Sequence, residues 1–301
     1  MQGTDGEVSP VLVNIGCGPT WHPAWTNLDI RPPNGQVHAW DVSKGLPFGE
    51  NKVDVCYASH VLEHLSRDQA RALLQEIRRA LRPRGIVRLA VPDLEAIARE
   101  YLNVLAQAEK GDSTAVKQYE WITLELLDQL VRTESGGEME RYLRSHVRDN
   151  TEYIISRIGC GANEYIKRTE SQANGHLIGE DNGQAKSLRR AMWSLVVRLS
   201  RLFRAKDRCR EEAAVGLCGI LLGSRGKRAM REGLFHISGE THRWMYDRFS
   251  LRQLLEQAGF EQIAVCTADQ SQIPGFTTYD LDMVEGRVRK PDSLFMEAVK
   301  P

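Results

Sequence analysis

Val11-Leu-Val-Asn-Ile-Gly-Cys-Gly-Pro-Thr20 is the stretch on which the fold turns. Its first five residues are a short, β-rich apolar run that stops at Gly16, as a strand buried on both faces would. Gly16 and Gly18 then let the backbone turn sharply and approach a ligand with no Cβ in the way. The pattern is not the dinucleotide fingerprint, because Trp21 stands where GxGxxG requires its third glycine, and this disfavours NAD. Alone, the two glycines also fit an ordinary tight turn.

Working outward, Asn27-Leu-Asp-Ile30, Val37-His-Ala-Trp40 and Val53-Asp-Val-Cys-Tyr57 read as the next three strands. A helix through Ala80 follows, with apolar positions at Ala70, Leu73, Leu74, Ile77 and Leu81. Arg82-Pro-Arg-Gly85 breaks it, and Ile86 to Val91 forms a fifth strand closed by Pro92. Strands separated by helices predict an α/β fold, a Rossmann-like, doubly wound and mostly parallel sheet. Such sheets bind ligands at the carboxyl ends of their strands. Asp29, 11 residues after Gly18, ends the second strand, where a carboxylate accepts hydrogen bonds from both hydroxyls of a ribose. Asp41, after the third strand, suits an adenine amino group. Either aspartate alone also fits a strand-end turn.

Beyond Asp93 helical periodicity dominates as far as about residue 235, with a polar, glycine-bearing loop at Ser171–Gln184. Thr241 to Tyr246 then reads as a strand, and Ser250 to Ala258 as a helix capped by Ser250 and stopped by Gly259. Phe260–Thr267 and Ser293–Val299 read as the last two strands. The expected organisation is a core of 8–99 and 236–301, with 100–235 as a large helical insertion after the fifth strand, serving as a lid or as an acceptor- or membrane-facing subdomain.

Composition sets outer limits. The 301 residues carry no net charge, so no global field draws the chain toward nucleic acid, and no RNA-binding module is recognisable. Six scattered cysteines form no CxxC pair, which fits a reducing compartment. The polar N-terminus lacks the form of a signal peptide, and the longest apolar run, Ala213–Gly223, is too short to span a bilayer. A cytoplasmic protein, touching membrane only peripherally, is expected.

The order VLVNIGCGPT, NLDI, WDVSKGLPF, VDVCYASHVLEHL, ALRPRGIVRLAVPDLE resembles class I S-adenosylmethionine-dependent methyltransferases. It is most similar to a bacterial branch associated with surface-polysaccharide and glycan modification. HRWMYDRFSLRQLLEQAGF and the terminal SLFMEAVKP resemble that branch too. The likeness covers residues 11–99 and about 236–301. It implies S-adenosylmethionine as methyl donor, with Gly16, Cys17 and Gly18 lining its methionine and ribose portions and Asp29 holding the ribose. It places Asp41 and Val42 beside the adenine, and Ser59 and His60 facing the donor. Asn14 departs from the pattern, since many such enzymes carry an acid there. The link bearing Pro19, Trp21, Pro23 and Trp25 is also not a clear helix.

Methyl transfer from a sulfonium is a direct displacement, so alignment matters most, and an oxygen acceptor needs a base for its proton. His242 is the first candidate, where the chain returns after the insertion; His60, at the end of the fourth strand, is the second. His64 reads as structural. Glu240, Tyr246 and Asp247 crowd the segment of His242, but their spacing calls for no metal. The acceptor implied is a saccharide or other small polar molecule, anionic or lipid-linked. Residues 186–231 hold 13 Lys and Arg against 3 Asp and Glu. They contain an apolar helical stripe, Leu188, Met192, Leu195, Val196, Leu199, Leu202 and Phe203. Such a helix packs with a solvated basic face, binds a diphosphate through its arginines, or lies on anionic lipid. RNA is the weakest of its partners. The competing class is a non-catalytic methyltransferase-like protein that works at a membrane or as a scaffold through this insertion.

Overall fold

The computed structural model describes residues 9–146, 150–159, 162 and 188–301, and at 146 and over 188–208 the backbone alone. The expected loop at 171–184 lies outside these residues. Five strands run parallel: β1 (Leu12–Ile15), β2 (Thr26–Asp29), β3 (Val37–Ala39), β4 (Val53–Ser59) and β5 (Leu81–Pro92). After them come β6 (Glu261–Cys266), the short hairpin β7 (Met283–Val284) and β8 (Arg287–Val288), and β9 (Ser293–Val299). The main sheet has the order β3-β2-β1-β4-β5-β9-β6, with β9 antiparallel to both neighbours. The Rossmann-like, mostly parallel sheet is therefore present. Strand order reverses between β1 and β4, which opens a crevice at their carboxyl ends.

Both faces of the sheet are covered, which is why β1 is buried at every position. On one face lies α1 (Arg67–Ala80), started by a capping box in which Ser66 and Gln69 satisfy each other's backbone N–H groups. Its Ala70, Leu73, Leu74 and Ile77 pack against Val13, Ile15 and Cys56 of the sheet. Leu81, expected on the helix, is instead the first residue of β5, which runs through Arg82–Gly85. On the other face Trp25, Tyr57 and Phe276 form an aromatic cluster in which Trp25 meets the other two rings edge-on.

Two further expected elements differ. Residues 241–246 form no strand: β9 already holds the place beside β5, and the segment's N–H groups go elsewhere. Arg243 and Trp244 donate to the carbonyl of Glu63 (2.6 and 3.3 Å), and His242 to that of Gln129 (2.9 Å). The following helix, α7 (Arg248–Gln257), is capped by Asp247, with Ser250 completing the box from the third helical position.

Between β5 and this strap stand α2 (Leu94–Ala108), α3 (Ser113–Val131), α4 (Gly137–His146), α5 (Thr151–Ile158) and the long α6 (Leu188–Ile237). Ile97 and Val104 of α2 pack with Ala115 and Ile122 of α3 and with Met245 of the strap. α6 breaks at Gly223 (φ 66°) and folds back on itself. Glu212 and Arg231 approach to 3.7 Å across the break, and a Cβ on Gly219 would lie 3.5 Å from Lys227.

Arg88 lies wholly buried in the middle of β5, held by Asp282 and Glu297 at 2.7 Å each. Removing one member of a buried ion network strands the others without a counter-charge. Arg88→Met should cost about 3–5 kcal/mol, read as a lowered urea midpoint with an unchanged slope.

Candidate active site

The glycine turn at the end of β1 is built by sterics and one carboxylate. Gly16 has φ 63°, and a Cβ there would lie 2.5 Å from Val61 Cγ2, so only glycine fits. The turn is tied to β2 by Asp29, whose Oδ2 accepts from Gly18 N (2.8 Å) while Oδ1 accepts from Arg31 N (2.7 Å). Each carboxylate oxygen keeps a further lone pair for a ligand. Asn14 braces the turn by donating to Thr20 O and Asn27 Oδ1, both at 3.1 Å.

A cleft of about 400 Å³ opens above this turn, a size suited to a nucleoside-scale ligand. Gly16, Cys17, Gly18, Ser59, His60 and His242 all line it, and Asp29 sits one hydrogen bond behind. Asp41 and Val42 do not line it. Asp41 caps the 3-10 turn Val42–Lys44 by accepting from Ser43 N and Oγ, and Val42 lines a separate hollow with Leu65 and Gln69. Sequence reasoning missed Gln129 and Arg132, brought in by the insertion, and Arg289 and Lys290, which follow β8. The cationic run Arg287–Lys290 was the only signal for the last two.

Four titratable groups crowd together beside the cleft. His60 adopts φ 54° at the end of β4, a left-handed geometry uncommon outside glycine. Its Nδ1 stands 3.1 Å from Glu63 Oε1, and its Nε2 2.9 Å from Ser293 Oγ. Glu63 is fully buried. Burial pushes its carboxyl up, but His60, then His64 and His242, outweigh that and hold it down at about 2. The His64 and His242 rings meet edge-on, 4.8 Å between centroids. Burial, reinforced by the neighbouring histidines against the pull of Glu63, lowers His242 to about 3, so its imidazole is neutral.

The other polar residues of the strap are committed elsewhere. Glu240 is held by Arg132 and by Gly136 N. Asp247 caps α7, and Tyr246 faces a different hollow with Arg67 and Trp244.

Residues 24–89 match a family model described as a methyltransferase domain. The match begins after the glycine turn and contains Asp29, Ser59, His60 and Glu63; it covers under a quarter of the chain. Solved structures add loose likenesses. A Haloferax volcanii complex of the Trm112 methyltransferase activator with a methyltransferase has 19% identity and a TM-score of 0.23, over 29% of this chain and 47% of that one. An S-adenosylmethionine dependent methyltransferase from Mesorhizobium loti has 18% identity and a TM-score of 0.23, over 29% and 50%. Haemonchus contortus phosphoethanolamine N-methyltransferase 1, in complex with phosphoethanolamine and S-adenosylhomocysteine, has 11% identity and a TM-score of 0.25, over 97% and 88%. The chain thus spans about half the length of the first two. No curated protein matches it.

Cys17 sits in the turn with its thiol pushed up to about 12, by burial first and then by Asp29. A thiol of that kind carries almost no thiolate at pH 8 and is a poor nucleophile. Iodoacetamide at pH 8 should therefore modify the exposed Cys209 and spare Cys17, as read by peptide mass spectrometry.

Proposed function

We propose that the chain is an S-adenosylmethionine-dependent methyltransferase acting on an oxygen of a saccharide or related small polar acceptor, and that the hairpin of α6 rests on anionic lipid. The observation that carries the first part is the cleft itself, at the switch point of the sheet, with the glycine turn tied to Asp29 inside and beside the methyltransferase-domain segment. The donor supplies a sulfonium methyl group for direct displacement by the acceptor oxygen. Backbone at Gly16–Gly18 follows its methionine and ribose portions, and the spare lone pairs of Asp29 accept from the ribose hydroxyls.

His60 serves as the base that takes the acceptor's proton. Glu63 behind Nδ1 orients the ring and compensates its charge, as a carboxylate does for a catalytic histidine elsewhere. His242, ranked first on sequence grounds, is nearly enclosed and weakly basic, so the two exchange places. Arg132, Arg289 and Lys290 around the cleft favour an anionic acceptor. For the lipid contact, Ile220, Leu221 and Leu222 at the bend of α6 are 82%, 71% and 70% exposed, directly ahead of Arg225, Lys227 and Arg228. An apolar tip with a basic flank suits an anionic interface. No helix among the described residues is long and apolar enough to cross a membrane.

Calorimetry should show one site for S-adenosylhomocysteine, weakened about tenfold or more by Asp29→Ala through loss of charge-assisted hydrogen bonds. Labelled methyl donor and a saccharide panel, read by mass spectrometry, would identify the acceptor. His60→Ala should slow turnover about a hundredfold or more with donor affinity retained. Vesicles rich in phosphatidylserine should co-sediment the protein at low salt and release it at high salt, and Ile220→Ser with Leu221→Ser should abolish the pelleting. Vesicle binding without donor binding would mark the chain as a non-catalytic, membrane-peripheral relative instead.

A further inference from the structure

Glu63 presents a physical problem that methyl transfer does not resolve. Neither of its carboxylate oxygens is exposed, and Oε2 has no hydrogen-bond partner among the described residues, while Oε1 has only His60 Nδ1 at 3.1 Å. An ionised carboxylate in that condition is costly unless a cation meets it. His60 Nδ1 approaches Oε1 only, which leaves Oε2 with no positive neighbour in hydrogen-bonding range. Two further imidazoles lie close by, and Lys290 acts on the carboxylate only through space. One ligand atom each from Glu63, His64 and His242 lie within 4.8 Å of one another.

We propose that Glu63, His64 and His242 bind a divalent transition-metal ion at the acceptor end of the cleft. Ligand atoms that each sit about 2.0–2.1 Å from a common ion are separated by up to about 4 Å, so small side-chain rotations close the set. His64 Nδ1 points at Thr241 O from 3.4 Å, the outer partner that leaves Nε2 as the ligand nitrogen. The backbone fixes the two halves of the site against each other, through Arg243 N and Trp244 N on Glu63 O and through His242 N on Gln129 O.

Two imidazoles and one carboxylate suit zinc, manganese, iron(II) or cobalt rather than magnesium or calcium, which take oxygen sets. Three protein ligands leave at least one position open. His64 and His242 both border the cleft, so that position faces the acceptor. An acceptor hydroxyl that reached the ion would lose its proton more readily, and His60 stands beside the set to take it.

The test uses the full chain after chelator treatment and dialysis, titrated with cobalt(II) and followed by visible absorption, with zinc(II) as competitor. One cobalt per chain is expected, with d–d bands that zinc abolishes. Glu63→Gln, which keeps the side chain's shape, should weaken binding about tenfold or more, and His242→Asn should do the same if Glu63→Gln does not fold. Failure of the parent to bind cobalt stoichiometrically, or equal binding by folded Glu63→Gln or His242→Asn protein, would overturn the site. A separate S-adenosylhomocysteine titration reads the donor half, so failure of one reading is distinguishable from failure of the other.

Discussion

The hydrogen bond from Gly18 N to Asp29 Oδ2, 2.8 Å long, joins the ends of β1 and β2. A parallel ladder fixes strands along their length but leaves their carboxyl ends free to splay. Here the second strand's terminal carboxylate holds the first strand's turn in place. Gly16 can then approach Val61 closely enough to exclude any Cβ, and the chain beyond β4 is set against the same turn. The cleft follows from that arrangement. With no carboxylate at position 29, the glycine turn would lose its anchor.

Legibility from sequence tracked the range of the physics involved. β1, β4, α1 and β9 were readable because their burial is local and periodic: every residue of β1 is enclosed, and α1 repeats its apolar face every three or four residues. Residues 241–246 were not. Their alternation of polar and large apolar side chains imitates a strand, but strand identity depends on which neighbour has unpaired backbone groups. β5 is already paired by β9, so the segment bonds to Glu63 O and Gln129 O instead. Asp41 shows the converse. A strand-end aspartate followed by Ser43 satisfies itself locally as a cap, and no remote ligand is needed to explain it.

The pocket's missing members had the same cause. Gln129 lies near the end of α3, at the far side of a sequence gap of more than a hundred residues from the strap it supports. No periodicity within either segment encodes that meeting. The Arg88–Asp282–Glu297 network is of this kind as well: an arginine in an apolar strand looks like an edge residue until two distant carboxylates are placed beside it. Such networks specify which remote segments meet rather than add much net stability.

Glu63 unites the two halves of the molecule for a reason beyond its charge. Its backbone carbonyl accepts two N–H groups from the strap, so the return of the chain after the helical insertion is registered against the turn that follows β4. Its side chain meets His60 from its own turn and lies among His64 and His242, which come from opposite sides of that junction. A purely structural junction would be served better by an apolar side chain, since a buried carboxylate brings a desolvation cost with no packing gain. A glutamate there is intelligible if its charge is used: to orient the imidazole of His60, to hold an ion with the other two histidines, or both. Gln129 and Arg132 of that insertion line the same cleft as the glycine turn, so the cleft is complete only when the insertion is seated against Glu63.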